Sequence, residues 1–249
     1  DAVKEYDKVK DKFPDALEAI DFFLRKEVGL EEVTTVKPGD AVQVPLKFRN
    51  IASVTTKVYR IDLLKFGLLQ RNLSQITAIN LAGIRPYHES TIKLGDGLDY
   101  RDRKQSLELP LKEVGAYLVV CQGENLYTTG LVLVSPLNVE IQEEKQSGRV
   151  RVTVRDVVAG AYASGVHVKA IGSQNENFAS GETDLRGVFI ADGRNGKTTV
   201  LVRRGKDQYA FFRGTEWLGV ELGAHTAAVL AGLGYSAECI AAMKTAGAI

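Results

Sequence analysis

Histidine, cysteine, methionine and tryptophan are scarce in this chain, and their scarcity removes most chemistry before any motif is sought. The three histidines, His88, His167 and His225, stand far apart, and each reads as a loop or surface residue. The two cysteines, Cys121 and Cys239, form no C-x-x-C pair, so a zinc site has no ligand set to start from. So small a count fixes no redox compartment, and two unrelated thiols are read in preference to a disulfide. Net charge is +1 with 25% charged residues, so no field of one sign calls for nucleic acid or an anionic membrane. No apolar run of about 18 residues occurs, which leaves no helical membrane span. There is no G-x-S-x-G elbow, no G-x-G-x-x-G after a strand and no P-loop. Gly193 to Thr198 ends like a phosphate loop, but Ala191 stands where its first glycine would be, so the stretch reads as a β-turn. Asp184 and Asp192 could flank a cation, though ordinary turn formation accounts for both. Asn72-Leu73-Ser74 matches a glycosylation acceptor and is read as a chance occurrence. No catalytic, cofactor-binding or metal-binding residue is nominated, and the chain is expected not to be an enzyme. It opens at Asp1 with neither an initiator Met nor a leader, as an excised or processed piece would.

What is present is alternation. In 249 residues with 45% hydrophobic content there is material for two domains with separate cores. The stretch Val150 to Tyr209 carries the strongest pattern. Val150, Val152 and Val154 alternate with Arg151, Thr153 and Arg155, the period of a strand with one wet face. Val166, Val168 and Ala170 repeat the pattern, with His167 and Lys169 facing out. Thr183, Asp184 and Gly187 supply turn chemistry before Val188, Phe189 and Ile190, and Asp192 to Gly196 turn the chain again before Thr199 to Val202. The segment LVRRGKDQYAFF reads as one continuing strand. Phe189, inward on a central strand, is expected to cost about 3–5 kcal/mol when truncated to alanine.

Upstream, Lys37-Pro38-Gly39-Asp40 is a turn, and Ala41 to Phe48 alternates as a strand in which Pro45 marks an edge or a bulge. Val54 to Leu63, Ser106 to Leu111, Ala116 to Cys121 and Tyr127 to Val134 are further strands, closed by Pro136. Leu64 to Ile84 reads as a partly helical insertion. Residues from Asp1 to about Gly29 recur at three and four and read as helix, broken at Pro14, packing on its own domain. From residue 218 the composition shifts to alanine, leucine and glycine, predicting two short helices, the second capped by Ser236 with Glu238 in its first turn. The divisions are 1–37 helical, 38–137 first sandwich, 138–217 second sandwich and 218–249 helical tail. The fold class is mainly β: two tandem antiparallel β-sandwiches flanked by helices.

The strand-and-turn order VRVTVRD, GVHVKAIG, GETDLRGVF resembles the macroglobulin-type domains of bacterial alpha-2-macroglobulin-like proteins. Val152, Val154, Asp156, Gly165, Val168, Gly181, Thr183, Asp184, Gly187 and Phe189 carry the likeness, and Gly115, Tyr117 and Val119 carry it in the first sandwich. The resemblance covers about residues 38 to 217. It implies an Ig-like, non-catalytic module of a large exported protein, periplasmic or extracellular, whose partners are other domains of a longer chain and, through the family's role in protease capture, proteases. The family's reactive C-x-E-Q motif is absent, since Cys121-Gln122-Gly123-Glu124 has another order. Carboxypeptidase-regulatory-like, adhesin-type and carbohydrate-binding sandwiches carry a similar turn and form the alternative. Residues 218–249 resemble the C-terminal tail of family III CoA-transferases, through Leu222, Gly223, His225, Thr226, Val229, Leu230, Leu233 to Ser236, Ile240, Ala241, Gly247 and Ile249. That enzyme's core has no counterpart here, so His225 and Glu238 inherit no catalytic role.

Overall fold

In the computed structural model, the described residues are 2–63, 81, 83–219 and 230–245. Two short helices, α1 (Ala2–Asp7) and α2 (Pro14–Leu24), precede sixteen strands, and α3 (Ala237–Thr245) follows them. The first sandwich pairs a three-stranded sheet with a five-stranded one. The three-stranded sheet runs β1-β3-β6, from β1 (Glu27–Leu30), β3 (Val42–Arg49) and β6 (Arg103–Leu109). The five-stranded sheet runs β2-β8-β7-β4-β5, from β2 (Val33–Val36), β8 (Leu126–Val134), β7 (Gly115–Gly123), β4 (Ser53–Ile61) and β5 (His88–Lys93). Val42, Val44, Leu46, Val54, Val58, Tyr117, Val119 and Val132 fill the space between. Pro45 sits in the middle strand of its sheet, yet β1 pairs only with Leu46 to Arg49. Position 45 therefore has a ladder partner on one side, and a residue without an N–H is tolerated there.

The second sandwich is built the same way. In one sheet β9 (Leu137–Glu144) and β14 (Val188–Ala191) flank β10 (Arg149–Asp156), with the short β11 (Ala161–Tyr162) beside the end of β10. The other runs β13-β12-β15-β16, from β13 (Ala179–Glu182), β12 (His167–Gly172), β15 (Gly196–Arg204) and β16 (Gln208–Leu218). Val150, Val152, Val154, Val166, Val168, Val200 and Val202 are fully buried between them. The arginines and threonines that alternate with them stay wet, as period two requires.

The two sandwiches are joined by a third apolar cluster. Tyr59, Ile61, Ala116, Leu118, Leu131 and Leu133, from the outer face of the five-stranded sheet, pack against Leu201 and Tyr209 from the outer face of the β15–β16 hairpin. Phe178 and Phe211 close its margin. The five-stranded sheet is thus buried on both faces, and its middle strands read accordingly. Tyr117, Val119 and Cys121 of β7 enter the first core, while Ala116, Leu118 and Val120 enter the joint. Each leucine so buried contributes about 1.5–3 kcal/mol. At the rim, Arg213 Nε and Nη2 reach Glu32 Oε2 and Oε1 at 2.7 and 2.5 Å, a two-point pairing across the joint.

Several sequence expectations change. The helical reading of residues up to 29 holds only to Leu24. Residues 27–30 pair with Leu46 to Arg49 as β1, and Val33–Val36 lies parallel to β8. Pro14 does open α2, at its first position, and Arg25 caps its end by donating to Asp21 O at 2.9 Å. LVRRGKDQYAFF is a hairpin, not one strand, because Gly205 takes a φ of 63° between β15 and β16. Phe189 faces the core opposite Val152 but lies on an outer strand of its sheet and is only half-buried. Ser236 accepts from Cys239 N at the start of α3, as its capping role predicts. Asn72, His225 and most of the expected 64–84 insertion and first tail helix lie outside the described residues.

Two outcomes follow from this packing. Phe189→Ala is expected to cost about half of the 3–5 kcal/mol of a fully enclosed phenylalanine, read from urea denaturation midpoints. Leu201→Asp places a charge in the joint and should split one cooperative unfolding transition into two by calorimetry. A single unshifted transition would mean that the joint contributes nothing to cooperativity.

Candidate interaction surface

The turn signature that dominates the sequence is consumed by its own fold. Thr183 Oγ1 donates to Ala163 O at 2.7 Å and accepts from Val166 N at 3.0 Å, stitching two strand ends together beneath the surface. Asp184 Oδ1 accepts from Arg186 N and Val188 N, both at 2.9 Å. Gly187 has a φ of 72°, and a Cβ there would stand 2.7 Å from Val154 O. At Gly181 a Cβ would stand 2.6 Å from the Phe189 ring, so the two positions are complementary. Asp156, at the end of β10, accepts from Ala159 N at 2.8 Å and Val158 N at 3.0 Å, and its other oxygen meets Arg204 Nη2 at 2.5 Å.

The remaining candidates are also accounted for. Asp184 is paired with Arg186 at 2.9 Å and Asp192 with Arg149 at 2.6 Å. Among the described residues no group of three His, Cys, Asp or Glu side chains could hold a metal ion. Gly193 to Thr198 leads into strand β15, not a helix, so the loop lacks the helix N-terminus on which a phosphate would sit. Both cysteines are free: Cys121 is buried beside Thr56 Oγ1 at 3.4 Å, and Cys239 is exposed. Burial pushes the Cys121 thiol up, which makes it a poor nucleophile. His167 lies on the outer face of β12, its proton affinity lowered by burial and then by Lys169 and Arg203. His88 lies on β5, at the edge of the first sandwich.

Three features escaped the sequence reading. Asn50, at a φ of 50°, donates to Phe23 O and Arg25 O at 2.6 and 2.8 Å and accepts from Tyr100 N at 2.7 Å. Beside it, the buried Arg49 guanidinium lies over the Phe22 ring, 5.1 Å from its centre, and pairs with Asp102 at 2.9 Å. Together these two polar residues hold the end of α2 on the first sandwich. Glu143 projects from the core-facing side of β9 over Gly214, where a Cβ would stand 2.4 Å from its carboxylate. Burial pushes that carboxyl up. None of the three has a signature in sequence, since each depends on what the fold brings alongside.

The remaining concavity lies along the open side of the first sandwich. Between β5 and β6 runs a cleft of about 670 Å³, floored by Val42 and Thr56 and walled by His88, Ser90 and Ile92 on one side and Gln105 to Pro110 on the other. Its floor is apolar and its walls are polar, the composition of a contact surface more than of a reaction site.

These elements define a class: a mainly β protein of tandem antiparallel, Ig-like sandwiches sharing one buried joint. Within that class it superposes on the MG0-NIE-MG1 domains of native alpha-2-macroglobulin from Escherichia coli, with a TM-score of 0.57 and 18% identity, over 76% of this chain and 64% of that one. The NIE-MG1 portion of the same protein matches with a TM-score of 0.53 and 16% identity, over 76% of this chain and 97% of that one. The chain therefore spans 64% of the three-domain fragment, and at these identities the shared property is the fold. No family model matches the chain, and no curated protein does. The likeness of residues 218–249 to CoA-transferases gains no support from the comparisons. No described helix is long and apolar enough to cross a membrane.

The carboxylates give a pH prediction. Backbone N–H groups, Ala159 first, and then Arg204 hold Asp156 below the usual range, and Val188 N–H followed by Arg186 does the same for Asp184. Their contribution is complete above the ordinary carboxylate pKa of about 4 and is lost as pH falls through the depressed values. Glu143 runs the other way, its contribution being lost as pH rises. Asp156→Asn should be less stable than the parent at pH 7 by about 1–3 kcal/mol, a gap that narrows at pH 2–3. A gap of constant size across that range would show that the charge of Asp156 is not what stabilises the turn.

Proposed function

We propose that this chain is a non-catalytic framework and interaction module of a larger, exported, bacterial alpha-2-macroglobulin-like protein, working in the periplasm or outside the cell. The observation that carries this is the shared two-sandwich architecture over 76% of the chain, with a TM-score of 0.57. The fold supports a framework role on physical grounds. Two sandwiches that share one sheet face and a two-point ion pair move as one body, which suits a spacer in a large assembly. The recurring turn motif is spent on holding strand ends, and the thiol nearest a core is buried and unreactive. Protease capture belongs to the whole protein in this reading, with the present chain setting the distance and angle between its neighbours.

The test is the size and location of the native polypeptide. An antibody against residues 38–217 should detect, in the exported fraction of source cells, a band far above the 27.2 kDa of this chain. The purified large species should slow the attack of a broad-specificity protease on a protein substrate. A cytosolic band at the size of this chain, or a large species with no effect on any protease, would overturn the reading.

A further inference from the structure

The two sheets of the first sandwich are unequal, and the inequality falls at one edge. The smaller sheet runs β1-β3-β6 and the larger β2-β8-β7-β4-β5. β1 lies against β8: Leu30 N donates to Thr128 Oγ1 at 3.2 Å, and Gly130 is packed against Leu30 and Glu31. Stepping one strand at a time from that contact sets β3 over β7 and β6 over β4, and leaves β5 uncovered. The side chains agree. His88, Ser90 and Ile92 of β5 pair in register with Val58, Thr56 and Val54 of β4, and so face the same way. The β4 residues are buried, whereas their β5 partners remain half-exposed.

We infer that the cleft between β5 and β6 receives one extended peptide strand from another polypeptide, hydrogen-bonded along the free edge of β6 and covering β5. β6 has ladder partners on β3 alone, so along Arg103–Leu109 its other backbone edge is open to pairing. Strands in a sheet lie about 4.8 Å apart, so one added strand occupies the position over β5 and no second one is called for. The same count disfavours a second copy joined β6 to β6 about a two-fold axis. Each copy's β5 would then compete with its partner's β4 for the layer beneath the partner's β6.

Charge selects the chemistry and direction of the occupant. β5 leads through the 94–102 loop into β6, so the two strands run oppositely along the cleft. Lys93, Arg103 and Lys104 lie at one end, and Glu89 and Glu108 lie toward the other. A strand antiparallel to β6 brings its C-terminal end to the lysines and arginine and its N-terminal end to the glutamates. The occupant is therefore a segment of alternating apolar residues with a cation at its start and a carboxylate at its end. One small hydroxyl side chain facing inward would meet Ser90 and His88.

The probe is a fluorescent, end-blocked peptide Lys-Val-Thr-Val-Thr-Val-Glu, with a companion in which the terminal Lys and Glu are exchanged. Binding to the full chain is followed by anisotropy and by amide hydrogen exchange. The first peptide should slow exchange along residues 103–109 and bind several-fold more tightly than its companion. Ser90→Arg, which fills the cleft with charge, should weaken binding about tenfold or more, while Thr91→Arg on the opposite face should leave it unchanged. If Ser90→Arg fails to fold by circular dichroism, Gln105→Arg from the facing strand replaces it. Unslowed β6 amides, equal binding by the Ser90 and Thr91 variants, or dimers whose β6 amides are protected without peptide would each overturn the inference.

Discussion

One sheet with two buried faces organises this molecule. The five-stranded sheet closes the first core on one side and meets the second sandwich on the other, so its middle strands have no wet face. Leu118, Leu131 and Leu133 are fully buried in the joint, as are Tyr117, Val119 and Val132 in the core behind them. Separating the sandwiches would expose the first group to water without disturbing the second. The joint thus acts as a domain interface of core character. Tyr209 shows the cost of placing a polar group there: burial, then the charges of Asp62 and Asp207, push its hydroxyl up to about 12, and it donates to Lys206 O at 2.6 Å.

Polar residues in this fold mostly specify attachment. Asn50 and Arg49 use the unpaired carbonyls at the end of α2 to fix a helix that buries little of its own surface, Ala16 and Ile20 alone being buried along it. Thr183, Asp184 and Asp156 use backbone N–H groups at strand ends in the same manner. A motif with so many hydrogen-bonding residues invites a search for chemistry. Here each oxygen faces a turn that would otherwise leave donors without partners. That division of roles fits a framework module, with recognition left to edges and clefts.

Legibility in the sequence followed the environment of each strand. β10 and β12 have one wet face, and their alternation marked them at once. β7 and β8 were visible as apolar runs, although nothing in such a run says that its two faces serve two different partners. β1, β2, β5 and β13 were not legible. They are short, half-buried and polar in part, and their strand character comes from the ladder beside them. β9 carries a clear alternation of Leu137, Val139 and Ile141, which was overlooked because Pro136 was read only as an end. The Phe189 side was right while its depth was not, since side follows from register and depth from where the strand lies in the sheet.

The chain's sequence alone determined the class: antiparallel sandwiches, turns at 37–40 and 183–187, a helix opened by Pro14 and another capped by Ser236. Each of these rests on interactions within a few residues, where side-chain period and backbone preference act directly. Only the tertiary structure decided that β1 and β2 leave the helical segment to join opposite sheets, that the hairpin β15–β16 covers the first sandwich, and that β5 is left uncovered. Those outcomes depend on which distant apolar faces meet and how many strands each sheet holds, and no local pattern records either.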